Sequence, residues 1–184
     1  MPRSLTAPSP PLADDVVRLD PLRTSLAPEL GWVLQADEPI ARFTMIPTAP
    51  GPEFLDRWLG RYERGFADGT CAGFAIRAVD GGGAIGFAAF VHLELEKQQG
   101  EIGYIVAPAS RGRGAAARAV ALLTAWGFEV LGLERIELRI DAGNAASTRV
   151  AERTGYRLDG VLRRVYFKEG LRADVAVWSR LASD

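Results

Sequence analysis

Between Glu101 and Ala117 the chain reads EIGYIVAPASRGRGAAA. An apolar, strand-like run ends at Val106, a turn follows at Pro108, and Gly112 and Gly114 then alternate with Arg111 and Arg113 ahead of a long alanine-rich stretch. Small residues leave successive backbone N–H groups accessible, and a helix starting there points its positive end at the same place. The two arginines add permanent charge suited to phosphate. The chemistry this segment can do is to hold a pyrophosphate. A tight loop needing glycine for backbone reasons alone is the plainer alternative, but it leaves the arginines and the strand–loop–helix order without a use.

Two kinds of phosphate ligand fit the letters. Gly112-x-Gly114-x-x-Ala117 satisfies the dinucleotide fingerprint, with Glu134 or Glu137 about 20 residues further on. That architecture needs a tight strand-to-glycine turn and several βα units. Here Ala107–Arg111 intervene, and only one more helix and an antiparallel pair follow. A dinucleotide-dependent oxidoreductase is the weaker reading.

Arg111-Gly112-Arg113-Gly114-Ala115-Ala116 also matches, without a gap, the acyl-CoA loop Gln/Arg-x-x-Gly-x-Gly/Ala of the GNAT superfamily of N-acetyltransferases. Glu101–Tyr104 (EIGY), Asn144–Ser147 (NAAS) and Glu152–Tyr156 (ERTGY) follow in that family's order. Together they resemble its RimJ/RimL-type branch, which includes the ribosomal-protein N-terminal acetyltransferases, over about Val16 to Leu181. The resemblance implies a single-domain α/β fold: a mixed sheet with antiparallel strands, one central parallel β-α-β unit, and a splayed cleft for CoA between its fourth and fifth strands, Glu101–Val106 and Arg135–Ile140. It further implies that backbone groups of Ile105 and Val106 pair with the pantetheine arm, that Arg111, Gly112, Arg113, Gly114, Ala115 and Ala116 receive the pyrophosphate, and that Asn144 reaches the pantetheine amides. Asn144 is also a good helix N-cap, and both roles can hold at once.

Acyl transfer from a thioester to an amine needs a base for the ammonium, a donor for the oxyanion and an acid for the leaving thiolate. The resemblance assigns the base to Glu101 and the oxyanion donor to the Val106 N–H. Many superfamily members use a tyrosine as the acid four residues before the Gly-aromatic pair; this chain has Ala151 there, and the resemblance implies that Ser147, the serine of Asn-x-x-Ser, is the thiolate partner. Glu101 also reads as a solvent-facing strand carboxylate, and Ser147 as a helix hydroxyl satisfied by its own backbone. Where the branch's ribosomal enzymes have a glutamate in the sixth strand, this chain has Tyr166, a third candidate catalytic residue.

The elements that must position these groups follow from hydrophobic periodicity. Val16–Leu19 reads as a short strand and Leu26–Gln35 as a helix. A second helix runs from Pro52, with Phe54, Leu55, Trp58, Leu59 and Tyr62 at helical spacing, to Gly69. Cys71–Val79 and Ala84–Leu95 are strands joined by Asp80–Gly83. After Glu101–Val106 come a loop and long helix over Arg111–Leu133, a strand Arg135–Ile140, and a helix Asn144–Thr154 closed by Gly155. Strands Tyr156–Phe167 and Ala173–Leu181, turning at Lys168-Glu169-Gly170, finish the chain. Residues 1–14, with Pro8, Pro10 and Pro11, read as a flexible tail, and 15–184 as one N-acyltransferase domain.

Composition removes other chemistries. The 184 residues hold one cysteine, Cys71, and one histidine, His92, so neither an internal disulfide nor a Cys/His zinc site can be assembled. No metal is expected, and neither residue is given a chemical role. The net charge of −1 gives no polyanion footprint, which argues against nucleic acid. Gly114–Leu133 is interrupted by Arg118 and Glu129 and reads as a buried helix, not a membrane span. Of 22 basic residues only Lys97 and Lys168 are lysines; Arg149, Arg153, Arg157, Arg163 and Arg164, spread over a helix and a strand with acids between them, read as a solvated surface, with one of them available to the CoA 3′-phosphate. The expected protein is a cytoplasmic acyl-CoA-dependent N-acyltransferase, with acetyl-CoA as the simplest donor, succinyl-CoA open, and a primary amine as acceptor. A homodimer and a non-catalytic acyl-CoA-binding module remain open.

Overall fold

The computed structural model describes residues 4–34, 38–47, 49–168 and 170–184. Eight strands form one sheet in the order β1-β2-β3-β4-β5-β6-β8-β7. They are β1 (Leu12–Ala13), β2 (Val17–Pro21), β3 (Ala72–Ala78), β4 (Ala84–Glu94), β5 (Gln99–Val106), β6 (Arg135–Asp141), β7 (Arg157–Lys168) and β8 (Leu171–Leu181). Every neighbouring pair is antiparallel except β5 and β6, which run parallel. The helices are α1 (Ala27–Val33), α2 (Glu38–Phe43), α3 (Pro52–Asp68), α4 (Ala115–Glu129) and α5 (Ala145–Arg153). A single parallel pair rules out the doubly wound sheet that a dinucleotide fold requires.

Helices cover both faces because the strands are apolar on both. Along β4, Ala88 and Phe90 turn toward a cluster that holds Val120, Leu123 and Trp126 of α4, while Phe87 and Ala89 turn toward one that holds Leu30 of α1 and Leu59 and Tyr62 of α3. This is strand periodicity with both phases used for the core. In β6 only one phase is apolar: Ile136, Leu138 and Ile140 join the α4 cluster. Glu137 and Arg139 therefore face the α3 side of the sheet.

Helix ends follow local chemistry. Pro52 opens α3, and Gly69, at φ 69°, closes it by donating its N–H to the Gly65 carbonyl. Asn144 Oδ1 accepts the Ser147 N–H at 3.1 Å and so caps α5. The Tyr156 hydroxyl, in the Gly-aromatic pair, bonds Thr124 Oγ1 on α4 at 2.7 Å in the buried core, so that motif ties the start of β7 to α4. The helix expected to reach Gln35 ends at Val33, and Gln35, like Glu169 of the final turn, lies outside the described residues. Among the described residues no helix is long and apolar enough to cross a membrane.

The segment read as tail is held at several points. Leu12 and Ala13 pair with Leu19 and Arg18, the Leu5 N–H donates to the Phe66 carbonyl at 2.8 Å, and Asp14 accepts from Arg118 of α4 at 2.8 Å. Proline density excluded a long ladder but not a two-residue one, so the expected fourth and fifth strands are β5 and β6.

Gly86 fixes how closely β4 approaches the end of β5. A Cβ there would stand 2.6 Å from the Ile105 carbonyl oxygen, a backbone atom that cannot step aside. Gly86→Ala is expected to cost about 1–3 kcal/mol, as other overpacked cores do. Thermal unfolding should register about 2–4 °C for each of those kcal/mol; an unchanged midpoint would mean that β5 yields there.

Candidate functional site

The parallel pairing of β5 and β6 lasts only from Gln99↔Arg135 through Glu101↔Glu137. Beyond Glu101 the strands part, and the gap joins the two faces of the sheet. On the α4/α5 side lies a cavity of about 420 Å³, bordered by Ser110, Arg111, Gly112 and Gly114–Ala117 at one end and by Asn144, Ser147, Arg149 and Arg153 along α5. On the α3 side lies one of about 670 Å³, bordered by Trp58, Arg61, Tyr62, His92, Glu101, Arg139 and Tyr166. Phe43, Thr44, Tyr104, Ile105, Asn144 and Ser147 line both, so the two cavities are halves of one cleft.

The loop at the first half is shaped to receive an anion. Gly112 and Gly114 sit at φ 76° and 82°, in the left-handed region that favours glycine, and a Cβ on either would meet only open space. Backbone conformation, not crowding, sets the residue type. Gly114 is the N-cap of α4 and brings no side-chain acceptor. The first-turn amides of Ala115, Ala116 and Ala117 thus face the cavity with the helix dipole behind them. Arg111 Nε donates to the Val106 carbonyl at 3.0 Å, folding the loop back over the end of β5. Arg113 is exposed beside the cavity. These features fit the diphosphate of an acyl-CoA.

Strand alternation refines the pantetheine contacts. The Ala107 N–H donates to the Ile85 carbonyl at 2.9 Å, and Phe87 is the partner of Ile105. Alternate residues of a ladder turn their amides to opposite sides. Ile105 therefore spends its backbone on β4, and Val106 points its N–H into the gap. Of the two residues expected to meet the arm, Val106 is the one whose N–H is directed into the gap, and Ile105 lines the cleft.

At the junction stand Asn144, Ser147 and Tyr104. Capping occupies the Asn144 oxygen and leaves its amide NH2 as the group available to a ligand. The backbone bond that could have consumed the Ser147 hydroxyl, to the Asn144 carbonyl, is made by Thr148 Oγ1 at 3.2 Å. Tyr104, to which the sequence reading gave no role, buries its phenol oxygen beside the Ser147 hydroxyl. Burial pushes that phenol up to about 12, and the Ser147 hydroxyl partly offsets the push. The only sequence signal was the tyrosine itself, two residues before the end of a strand.

Glu101 is on the opposite face, with Glu137 and Arg139. Its side chain is 30% exposed, and burial pushes its pKa up against the pull of Arg139, whose Nε is 3.6 Å away. Such a carboxyl group is better suited to accept a proton near neutrality than an open one. His92, read as inert, is the ladder partner of Glu101 and borders the same cavity. Its position two strands from the glycine loop left no trace in any motif. Cys71 is buried beneath α3, its thiol directed at the Arg61 carbonyl. Tyr166, on β7, closes the far side of the cavity. Arg149 and Arg153 border the CoA half, whereas Arg157 pairs with Asp184 at 3.2 Å.

Comparison with known proteins agrees with this geometry. A family model described as an acetyltransferase (GNAT) domain matches residues 17–157. The uncharacterized N-acetyltransferase YoaA of Bacillus subtilis (strain 168) is 34% identical over 97 residues, 53% of each chain. The spermidine N(1)-acetyltransferase of Escherichia coli (strain K12) is 28% identical over 85 residues, 46% of each chain. The chain matches about half the length of these curated relatives. Among solved structures, a probable GNAT-family acetyltransferase from Chromobacterium violaceum superposes with a TM-score of 0.83 at 28% identity, over 98% of this chain and 91% of that one. RimL, a ribosomal L7/L12 alpha-N-protein acetyltransferase solved with coenzyme A, gives 0.83 at 19% identity over 93% and 97%, a likeness of fold.

Proposed function

Because the chain belongs to the GNAT acetyltransferase family, we propose that it transfers acetyl from acetyl-CoA directly to a primary amine, with both substrates held in one cleft. The observation that carries this reading is the short β5–β6 pairing. It opens a passage from the uncapped N-terminus of α4 to the half-buried Glu101.

The donor supplies an activated carbonyl and a thiolate leaving group. Gly112, Gly114 and the first turn of α4 bind its diphosphate, with Arg149 and Arg153 beside them. Val106 and Asn144 hold the arm. Glu101 takes a proton from the acceptor ammonium, and the freed nitrogen attacks the carbonyl carbon. The Val106 N–H stabilises the charge that develops on the carbonyl oxygen. As the carbon–sulfur bond breaks, Ser147 gives its proton to the departing sulfur and regains one from the nitrogen, which sheds its second proton as the amide forms; Tyr166 borders the acceptor. No covalent enzyme intermediate is needed, in keeping with a Cys71 buried beneath α3. Alignment of two bound reactants supplies up to roughly 7–11 kcal/mol.

The acceptor half favours a particular kind of amine. Its carboxylates, Glu101 and Asp141, are balanced by Arg61 and Arg139, and Arg139 lies within 3.3 Å of Glu137. Trp58, Tyr62 and Phe87 form an aromatic wall with ring centroids 4.6–5.4 Å apart. A polycation such as spermidine, the substrate named for one relative, finds no surplus of negative charge here. We infer a single amine on an apolar or aromatic body, either a small molecule or the N-terminus of a peptide.

A thermal-shift panel of CoA, acetyl-CoA, succinyl-CoA and NADP, followed by thiol release with aromatic amines, peptides and spermidine, tests this. CoA and acetyl-CoA should stabilise the protein, and aromatic amines should outrun spermidine. Stabilisation by CoA with no thiol release from any amine would favour the non-catalytic binding module. Stabilisation by NADP alone would remove the CoA reading.

A further inference from the structure

Resting on that reading of the cleft, we propose that Lys168 is the positioning residue that holds the wall of the acceptor site. Its ammonium, at the end of β7, donates to three backbone carbonyls: Ala41, Thr44 at 2.9 Å and Ile46 at 2.8 Å. These carbonyls belong to the last turn of α2 and the residues that follow it, more than 120 positions away in the chain. The same stretch supplies Phe43 and Thr44 to both halves of the cleft, and Met45 and Ile46 to the acceptor half.

The segment meets the core through two side chains, Ile40 and Ile46. Helix α2 has six residues, too few for a helix to persist without tertiary support. Of its residues only Ile40 is buried. Within the segment, Thr44 Oγ1 bonds the Ile40 carbonyl at 2.7 Å and accepts the Ile46 N–H at 3.1 Å, which shapes the turn but does not attach it to the sheet. Lys168 adds a polar attachment to the apolar one of Ile40 and Ile46, and it does so from the strand that carries Tyr166 to the opposite side of the cavity. One ammonium thus sets the distance between two walls of the acceptor site.

The choice of side chain supports this. Three acceptors converging on one point match a tetrahedral ammonium with three donors on a single nitrogen. A guanidinium spreads its donors around a rigid plane and cannot turn three of them on one point. This chain uses arginine for 20 of its 22 basic residues. Its other lysine, Lys97, is a 68% exposed partner of Glu94. The one lysine enclosed by carbonyls stands where arginine would not serve.

The test compares Lys168→Met and Lys168→Arg with wild type in steady-state kinetics and in hydrogen exchange of residues 38–46. Either variant should raise KM for the amine by about tenfold, the worth of a lost charged hydrogen bond, while KM for acetyl-CoA changes less than twofold. Exchange in the 38–46 segment should accelerate while that of α4 does not. A role in general stability would instead lower the melting temperature and speed exchange throughout, without separating the two KM values. If Lys168→Met does not fold, Lys168→Arg, which keeps charge and stem, decides the matter. Wild-type KM and wild-type exchange in Lys168→Arg would overturn the assignment. If wild type proves inactive with every amine, the exchange result still judges the latch, and it is the proposed function that fails.

Discussion

Glu101→Gln is expected to lower kcat/KM by about 10²–10⁴-fold, the span that a positioned general base contributes, while leaving the affinity for acetyl-CoA near that of wild type. The two effects separate because Glu101 is on the α3 face of β5, and the loop that grips the donor lies on the α4 side. The pH profile carries a second signature. Burial raises the Glu101 pKa above its ordinary value, so wild-type kcat/KM should fall as pH drops through that raised value and the base becomes protonated. Glutamine has no proton to lose, and the variant's residual activity should lack this limb. Stability should move the other way. With a raised folded-state pKa the native protein binds more protons than the unfolded chain, so stability declines as pH rises from the ordinary value through the raised one. At pH 7 the ionised group is a net cost to the fold, and Glu101→Gln should melt no lower than wild type. Loss of activity together with a lower melting temperature would mean that Glu101 serves structure through Arg139, not catalysis.

The site was legible in the sequence where its parts are contiguous. Arg111–Ala116 carries its own geometry, because two left-handed glycines and an uncapped helix start are local properties. Asn144 and Ser147 are three apart on one helix, and the cap that joins them could be read from spacing alone. Glu101 was legible as a residue but not as an environment: burial raises its pKa, and the charges that modulate it, Arg139, Glu137, His92 and Arg61, come from β6, β4 and α3, which only the fold brings near. His92 and Tyr104 were legible as residues, the second within the EIGY motif, but not as parts of the site. One faces Glu101 because a strand pairs in a given register, and the other faces Ser147 because β5 and β6 part after Glu101. Lys168 shows the limit from the other side. Its rarity could be counted, but three carbonyls from a six-residue helix and the turn after it belong to no pattern a sequence displays. The pairing of Leu12 and Ala13 was illegible for a similar reason, since they take their structure from β2 and not from their own composition.

Gly114→Asp should separate binding from folding more sharply than removal of any arginine. The position is the N-cap of α4, with φ at 82° and no atom within 4 Å of a new Cβ. A non-glycine residue there costs about 1–2 kcal/mol for the left-handed backbone, although aspartate is among the residues that tolerate it. Against this, a carboxylate at a helix N-terminus gains roughly 0.3–1 kcal/mol from the dipole. The free protein should therefore melt within a few degrees of wild type. The same carboxylate stands where a diphosphate is to bind. Two like charges about 4 Å apart at a protein surface repel by about 4 kcal/mol, enough to weaken acetyl-CoA binding by on the order of 100-fold or more. Gly114→Ala carries the same backbone strain without the charge and should lose only a small part of that affinity. Calorimetric titration of both variants with CoA reads the difference directly. If aspartate and alanine weaken binding equally, strain in the loop accounts for the loss, and the diphosphate does not rest on the N-terminus of α4.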